Sequence, residues 1–160
     1  MTPARLIATF GGCGLSPRAP GTVGSLAALL LGLPMLKRPR TLLCAAAAAT
    51  VVGWWATARA GEGEDHSWIV IDEVAGMWIA LLACLPDSNE SEVSAKASYQ
   101  LLWPIVAFGL FRVFDITKPG LIGTLDRRHD ALGVMGDDVL AGIASAGCVQ
   151  ALRKFRALRA

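Results

Sequence analysis

The chain has 160 residues, 54% hydrophobic and only 18% charged, with a net charge of +2 and a mean hydropathy of +0.50. That length fits one domain over 1–160, and the shortage of charge relative to soluble proteins points to a membrane protein. So small a positive balance, with no basic run interleaved with aromatics, excludes nucleic acid as a partner. Four scattered cysteines (Cys13, Cys44, Cys84, Cys148) without metal spacing exclude a disulfide framework.

Residues 1–24 contain the run G-G-C-G-L-S-P-R-A-P-G-T-V-G. Gly and Pro at that density predict an ordered or re-entrant loop in place of a regular helix, and 1–10 lacks the apolar core of a signal peptide. Residues 24–35 are apolar but short, a half-helix or a strongly tilted one. A basic loop follows at Lys37, Arg38 and Arg40. Residues 41–58 form the best spanning segment, uncharged throughout and carrying Trp54 and Trp55 near one end as interface anchors.

After a charged turn at 59–66, a third helix runs over 72–85 and is closed by Pro86. Residues 87–100 are polar and read as a flexible loop. The fourth helix, 101–114, carries Pro104 and Gly109. A second Gly/Pro loop covers 115–136, and the fifth helix covers 138–152 before a basic, interfacial tail, R-K-F-R-A-L-R. The expected fold is therefore all-α, a polytopic membrane helical bundle of four to five helices joined by Gly/Pro-rich loops. Several segments fall short of the roughly 20 residues that cross a bilayer, so a soluble helical protein is the alternative.

Two acidic pairs, Asp72-Glu73 and Asp137-Asp138, stand at the heads of apolar helices in this reading, and Asp115 ends another. Carboxylates beside long apolar runs are costly to desolvate. For one pair alone, helix capping is a sufficient reason. Two pairs, with Asp115 at a C-terminal end where its charge is unfavourable, point to one divalent-cation site assembled from several helices. If each segment crosses once, all of these acids share one face.

The same face carries Arg18, Lys118, Arg127 and Arg128 for an anionic substrate. The segment 14–26 leads into a helix N-terminus, where free N–H groups and the hydroxyls of Ser16, Thr22 and Ser25 could cradle a phosphate. A divalent ion beside positive phosphate clamps suits phosphoryl chemistry. Asp126 is a weaker candidate for the cation site, since a surface pair with Arg127 or Arg128 would also account for it, and Arg112 is expected to pair with Asp115 three residues on. His66 and His129, single and without metal spacing, read as surface or hydrogen-bonded histidines, with assistance in proton transfer as the alternative. Trp68, Trp78 and Trp103 read as core or interface anchors.

Four blocks resemble the bacterial phosphatidylglycerophosphatase A family: G-L-S-P-R-A-P-G-T-V-G-S-L (14–26), I-V-I-D-E-V-A-G-M-W (69–78), F-R-V-F-D-I-T-K-P (111–119), and L-D-R-R followed by G-V-M-G-D-D-V-L-A-G (125–142). They span most of the chain in the family's order. Two departures stand out: the run H-D-A-L before G-V-M-G-D-D is shorter than is usual, and His66 stands where such proteins often have Pro. The resemblance implies a Mg²⁺-dependent phosphatase of the bacterial cytoplasmic (inner) membrane. It would convert phosphatidylglycerol phosphate to phosphatidylglycerol and inorganic phosphate, with its site facing the cytoplasm.

On that basis Asp72, Glu73, Asp137 and Asp138 are expected to hold Mg²⁺, with Asp115 and Lys118 completing the catalytic set. Ser16, Arg18, Thr22, Ser25, Lys118 and Arg127 are expected to bind the substrate phosphate, and helix grooves to take the acyl chains from the bilayer. A small polytopic cation or proton transporter is the rival reading, and an anionic-lipid binding protein a third. The transporter would carry its acids in mid-helix around a pore.

Overall fold

Three helices start on a proline. Pro3, Pro20 and Pro39 each occupy the first helical position, where the missing N–H is no loss and the fixed φ already suits a helix. In the computed structural model, residues 1–62, 66–86 and 97–159 are described, the side chains of 97–100 excepted. The helices are α1 (Pro3–Ala8), α2 (Pro20–Gly32), α3 (Pro39–Ala60), α4 (Ile71–Leu82), α5 (Ala97–Thr117), α6 (Leu121–Asp126) and α7 (Ala131–Ala157). Short 3-10 turns cover Cys13–Leu15 and Leu33–Lys37. No strand occurs among the described residues, so the all-helical expectation holds.

Both Gly/Pro segments depart from the loops expected of them. Residues 1–24 contain α1 and the start of α2, because Pro at the first position starts a helix where Pro in the interior would break one. Residues 115–136 contain α6 and the first turns of α7. Asp130 caps α7, its carboxylate accepting from Gly133 N at 2.7 Å. Most of the expected flexible loop, 87–96, lies outside the described residues, and 97–100 open α5.

The short helix α4 is the centre of the fold. It packs against α7, α3, α2 and α5, and nine of its twelve residues are buried. A helix enclosed on every side can be apolar all round, as this one is from Val74 to Leu82. Trp78 joins it to α2 by donating its indole N–H to the Ala28 carbonyl at 2.9 Å. From α7, Arg153 closes the other end of α4 by donating to the Ala83 and Leu85 carbonyls at 2.7 and 2.8 Å.

The surrounding helices turn large apolar side chains outward: Leu30 and Leu31 on α2, Val51, Trp54 and Trp55 on α3, Ile105, Val113 and Ile116 on α5, and Ile143 on α7. By length and composition α3 and α7 can cross a membrane, while the apolar stretch Pro20–Met35 is shorter. The segment expected to span, 41–58, lies wholly within α3.

Candidate active site

Asp72 and Glu73 occupy the first turn of α4, where the helix dipole favours negative charge. Neither caps the helix through its N-cap residue, Val70, whose side chain makes no capping bond. The Asp72 carboxylate instead accepts from the neighbouring Glu73 N–H at 3.0 Å. From α7 come Asp137 and Asp138. They are the seventh and eighth residues of that helix, not its head, because the chain turns helical at Ala131. Capping therefore does not account for the second pair.

Asp72 is 7% exposed and Asp138 only 3%. Carboxylate oxygens of Asp72, Glu73 and Asp138 lie within 4.8 Å of one another. Among the described residues, Glu73 Oε2 and Asp138 Oδ1 are buried without a hydrogen-bond partner. Leaving carboxylates so desolvated and mutually repelling costs several kcal/mol per ion. A cation among them removes that cost, and an all-oxygen donor set suits a hard divalent ion. The residues fit a metal centre.

Glycines make this convergence possible. A Cβ on Gly76 would stand 3.0 Å from the Asp138 carbonyl carbon, so α4 and α7 meet backbone to backbone beside the acids. A Cβ on Gly21 would collide with Glu73 Oε1. The N-terminus of α2 thus presses directly on the cluster.

Lys118 follows α5 in the left-handed region, at φ 45°. That turn carries its ammonium to Asp126 and to Asp137 Oδ2, the latter at 2.8 Å. Burial works against the charged lysine, but the hydrogen bonds to Asp126 and Asp137, and then their charges, outweigh it, so its pKa stands above the ordinary value. Lys118 is a fixed cation. Asp126 pairs with it, and not with Arg127 or Arg128 as the sequence suggested: Arg128 pairs with Asp130 at 2.8 Å, and Arg127 donates to Thr124 at 3.2 Å.

Arg112 pairs with Asp115 as expected, and reaches further. It donates to Ser25 Oγ at 3.2 Å and Thr22 Oγ1 at 3.4 Å, tying α5 to α2. Nothing in the local sequence signals that reach, since the partners lie about 90 positions away.

The acids and Lys118 line one cavity of about 230 Å³. Its walls bring together Asp72, Glu73, Asp115, Lys118, Asp126, Asp137 and Asp138, with Pro20, Gly21, His66 and Ser67 beside them. Among the described lining residues six carboxylates face a single lysine, so an entering phosphate meets repulsion that a bound cation would offset. Ser16, Arg18, Thr22, Ser25 and Arg127 are not among the lining residues. Ser16 donates to the Arg18 carbonyl at 2.9 Å, and Ser25, fully buried, donates to the Gly21 carbonyl at 2.7 Å. Arg18 is exposed. The cavity places His66, one of two histidines the sequence leaves open to proton transfer, beside the acids together with Ser67, which the sequence reading lacks; the position of both just ahead of Asp72 is the signal the sequence offers.

The family model for phosphatidylglycerophosphatase A matches residues 6–153. Phosphatidylglycerophosphatase A of Escherichia coli (strain K12) is 37% identical over 150 residues, covering 91% of this chain and 80% of its own. The protein of the same name from Haemophilus influenzae is 38% identical over 150 residues, covering 89% and 84%. A protein of Bacteroides thetaiotaomicron, provisionally named a phosphatidylinositol-3-phosphatase, is 40% identical over 149 residues, covering 88% and 87%. No solved structure matches the chain.

Proposed function

Because the chain belongs to the phosphatidylglycerophosphatase A family, and is a phosphatase, we propose that it hydrolyses phosphatidylglycerol phosphate to phosphatidylglycerol and inorganic phosphate with Mg²⁺ bound to Asp72, Glu73 and Asp138. The observation that carries the metal is the buried acid cluster with its two unpartnered oxygens. When bound, Mg²⁺ supplies Lewis-acid chemistry, offsetting phosphomonoester charge and lowering the pKa of water.

The chain's own groups do the rest. Asp137 has both oxygens engaged, Oδ1 by the Asp138 N–H at 2.9 Å and Oδ2 by Lys118, so it sets the position of the lysine and of the first turns of α7. Lys118 is the lining cation and takes phosphate oxygens. Arg112 fixes Asp115, and through Ser25 and Thr22 it holds the N-terminus of α2 against Glu73. In this reading Ser25 and Thr22 support the phosphate site through Arg112. Ser16 orders the loop beside it, and exposed Arg18 and Arg127 draw the anionic headgroup in.

Helices α3 and α7 are proposed to cross the bacterial cytoplasmic membrane, with further apolar helices beside them in a multi-pass bundle and the cavity at the cytoplasmic face. Outward apolar side chains then meet acyl chains, and the lipid reaches the cavity without leaving the bilayer. A small polytopic cation or proton transporter finds no support in the relatives.

The test is phosphate release from detergent-solubilised phosphatidylglycerol phosphate. EDTA should stop it and Mg²⁺ should restore it. Release untouched by EDTA would remove the metal from the account. The Bacteroides relative's name points to an inositol headgroup, so phosphatidylinositol 3-phosphate belongs in the same assay; faster release from that lipid would reassign the substrate.

A further inference from the structure

The polar side chains lining the cavity are of two kinds. The six carboxylates and Lys118 are engaged with one another, with Arg112, or in the acid cluster that would hold the metal. The other two, the His66 imidazole and the Ser67 hydroxyl, make no side-chain hydrogen bond to a protein group among the described residues. They belong to the turn just before α4, and that turn is braced. Ile69 N donates to the His66 carbonyl at 2.8 Å, and Val70 N to the Ala8 carbonyl at 2.9 Å. Gly14 packs so closely under the turn that a Cβ would stand 2.9 Å from the Trp68 carbonyl carbon.

The imidazole is also held in orientation. Its ring stacks on Trp68, with centroids 5.2 Å apart and planes 14° apart. The Arg5 guanidinium lies 5.0 Å from the centroid of the same indole. Binding groups fixed before the ligand arrives lose little entropy when it does.

We infer that His66 and Ser67 are specificity-determining residues that hydrogen-bond the free hydroxyl of the alcohol carrying the phosphate. The inference rests on the phosphatase reading above. The metal centre and Lys118 take the phosphoryl group, which leaves a short polyol beside the scissile bond. In phosphatidylglycerol phosphate that polyol has one hydroxyl, on the carbon next to the phosphate-bearing one. A hydroxyl both donates and accepts, and it is matched by an imidazole and a second hydroxyl. A site built to bond a substrate hydroxyl discriminates against the analogue that lacks it.

The experiment compares phosphatidylglycerol phosphate with its analogue bearing hydrogen in place of that hydroxyl, using kcat/KM for phosphate release by the full-length protein in detergent. The wild type should prefer the hydroxyl lipid by about threefold to tenfold, the net worth of one hydrogen bond. His66→Ala with Ser67→Ala should bring the ratio near one while inhibition by inorganic phosphate stays unchanged. Ser67→Ala alone, at an exposed position, should reduce the ratio in a protein whose fold is intact. Equal rates on both lipids in the wild type, or an undiminished preference in the variants, would overturn the inference. No release from either lipid would instead sink the proposed phosphatidylglycerol phosphate substrate, and this subsite with it.

Discussion

Gly142 lies flat against Gly76, so closely that a Cβ on Gly142 would stand 2.9 Å from the Gly76 Cα. This contact fixes the distance between α4 and α7, and each helix carries part of the acid cluster. Asp138 sits one turn before Gly142 and Asp72 one turn before Gly76.

Gly142→Ala should therefore destabilise the protein by about 1–3 kcal/mol, the usual range for forcing extra volume into a packed interior. It should also lower activity beyond what unfolding explains, because the two acid pairs are pushed apart. Denaturant melts and specific activity on the same samples check this. Unchanged stability would mean the helices separate without cost.

Gly21→Ala tests the contact between α2 and Glu73. Alanine is the better helix former by roughly 0.5–1 kcal/mol, so stability should move by about 1 kcal/mol at most. Because the added methyl displaces the Glu73 carboxylate, metal affinity should fall about tenfold or more, read by calorimetric titration.

Arg112→Lys keeps the charge and loses the planar fork that serves Asp115, Ser25 and Thr22 together. A cost of about 1–3 kcal/mol is expected from the polar groups left unpaired, with a matching loss of activity. A fully stable, fully active variant would show that the α5–α2 tie is dispensable.

The Asp130 cap has a pH signature. The hydrogen bond from Arg128, followed by the one from Gly133 N, holds its carboxyl below the ordinary carboxylate value. A depressed pKa gives stability that is complete above the unfolded value, about 3.9, and is lost as pH falls through the folded value. The melting temperature of Asp130→Ala should thus lie below wild type by a constant amount from about pH 8 to 5. That gap should narrow below about pH 4.

Much of this was readable in the residues. Unbroken apolar runs marked α3 and the core of α4, and acids beside such runs marked the site, since buried charge needs a reason. What escaped was set by distance or by turn chemistry. Pro20 looked like a helix breaker and is a helix starter. Asp137 looked like a helix head, because Gly133 and Gly136 argue against a helix that in fact runs through both. Those glycines admit Arg128 and Leu125 at close range, a tertiary reason that no local pattern displays. Ser25 read as a phosphate donor, yet it bonds the backbone one turn back and accepts from an arginine 87 positions on.

The most direct test is a calorimetric titration of the metal-free, detergent-solubilised protein with Mg²⁺, comparing wild type, Asp72→Asn, Asp138→Asn and the exposed-acid control Glu62→Gln. Wild type and Glu62→Gln should bind saturably, and both aspartate variants should lose about a hundredfold in affinity or more, since losing even a partner that only orients a metal ligand costs about 10–100-fold. At a hundred times the dissociation constant, the wild-type fold should gain about 2.7 kcal/mol. Asp138→Asn binding Mg²⁺ as tightly as wild type would contradict the account.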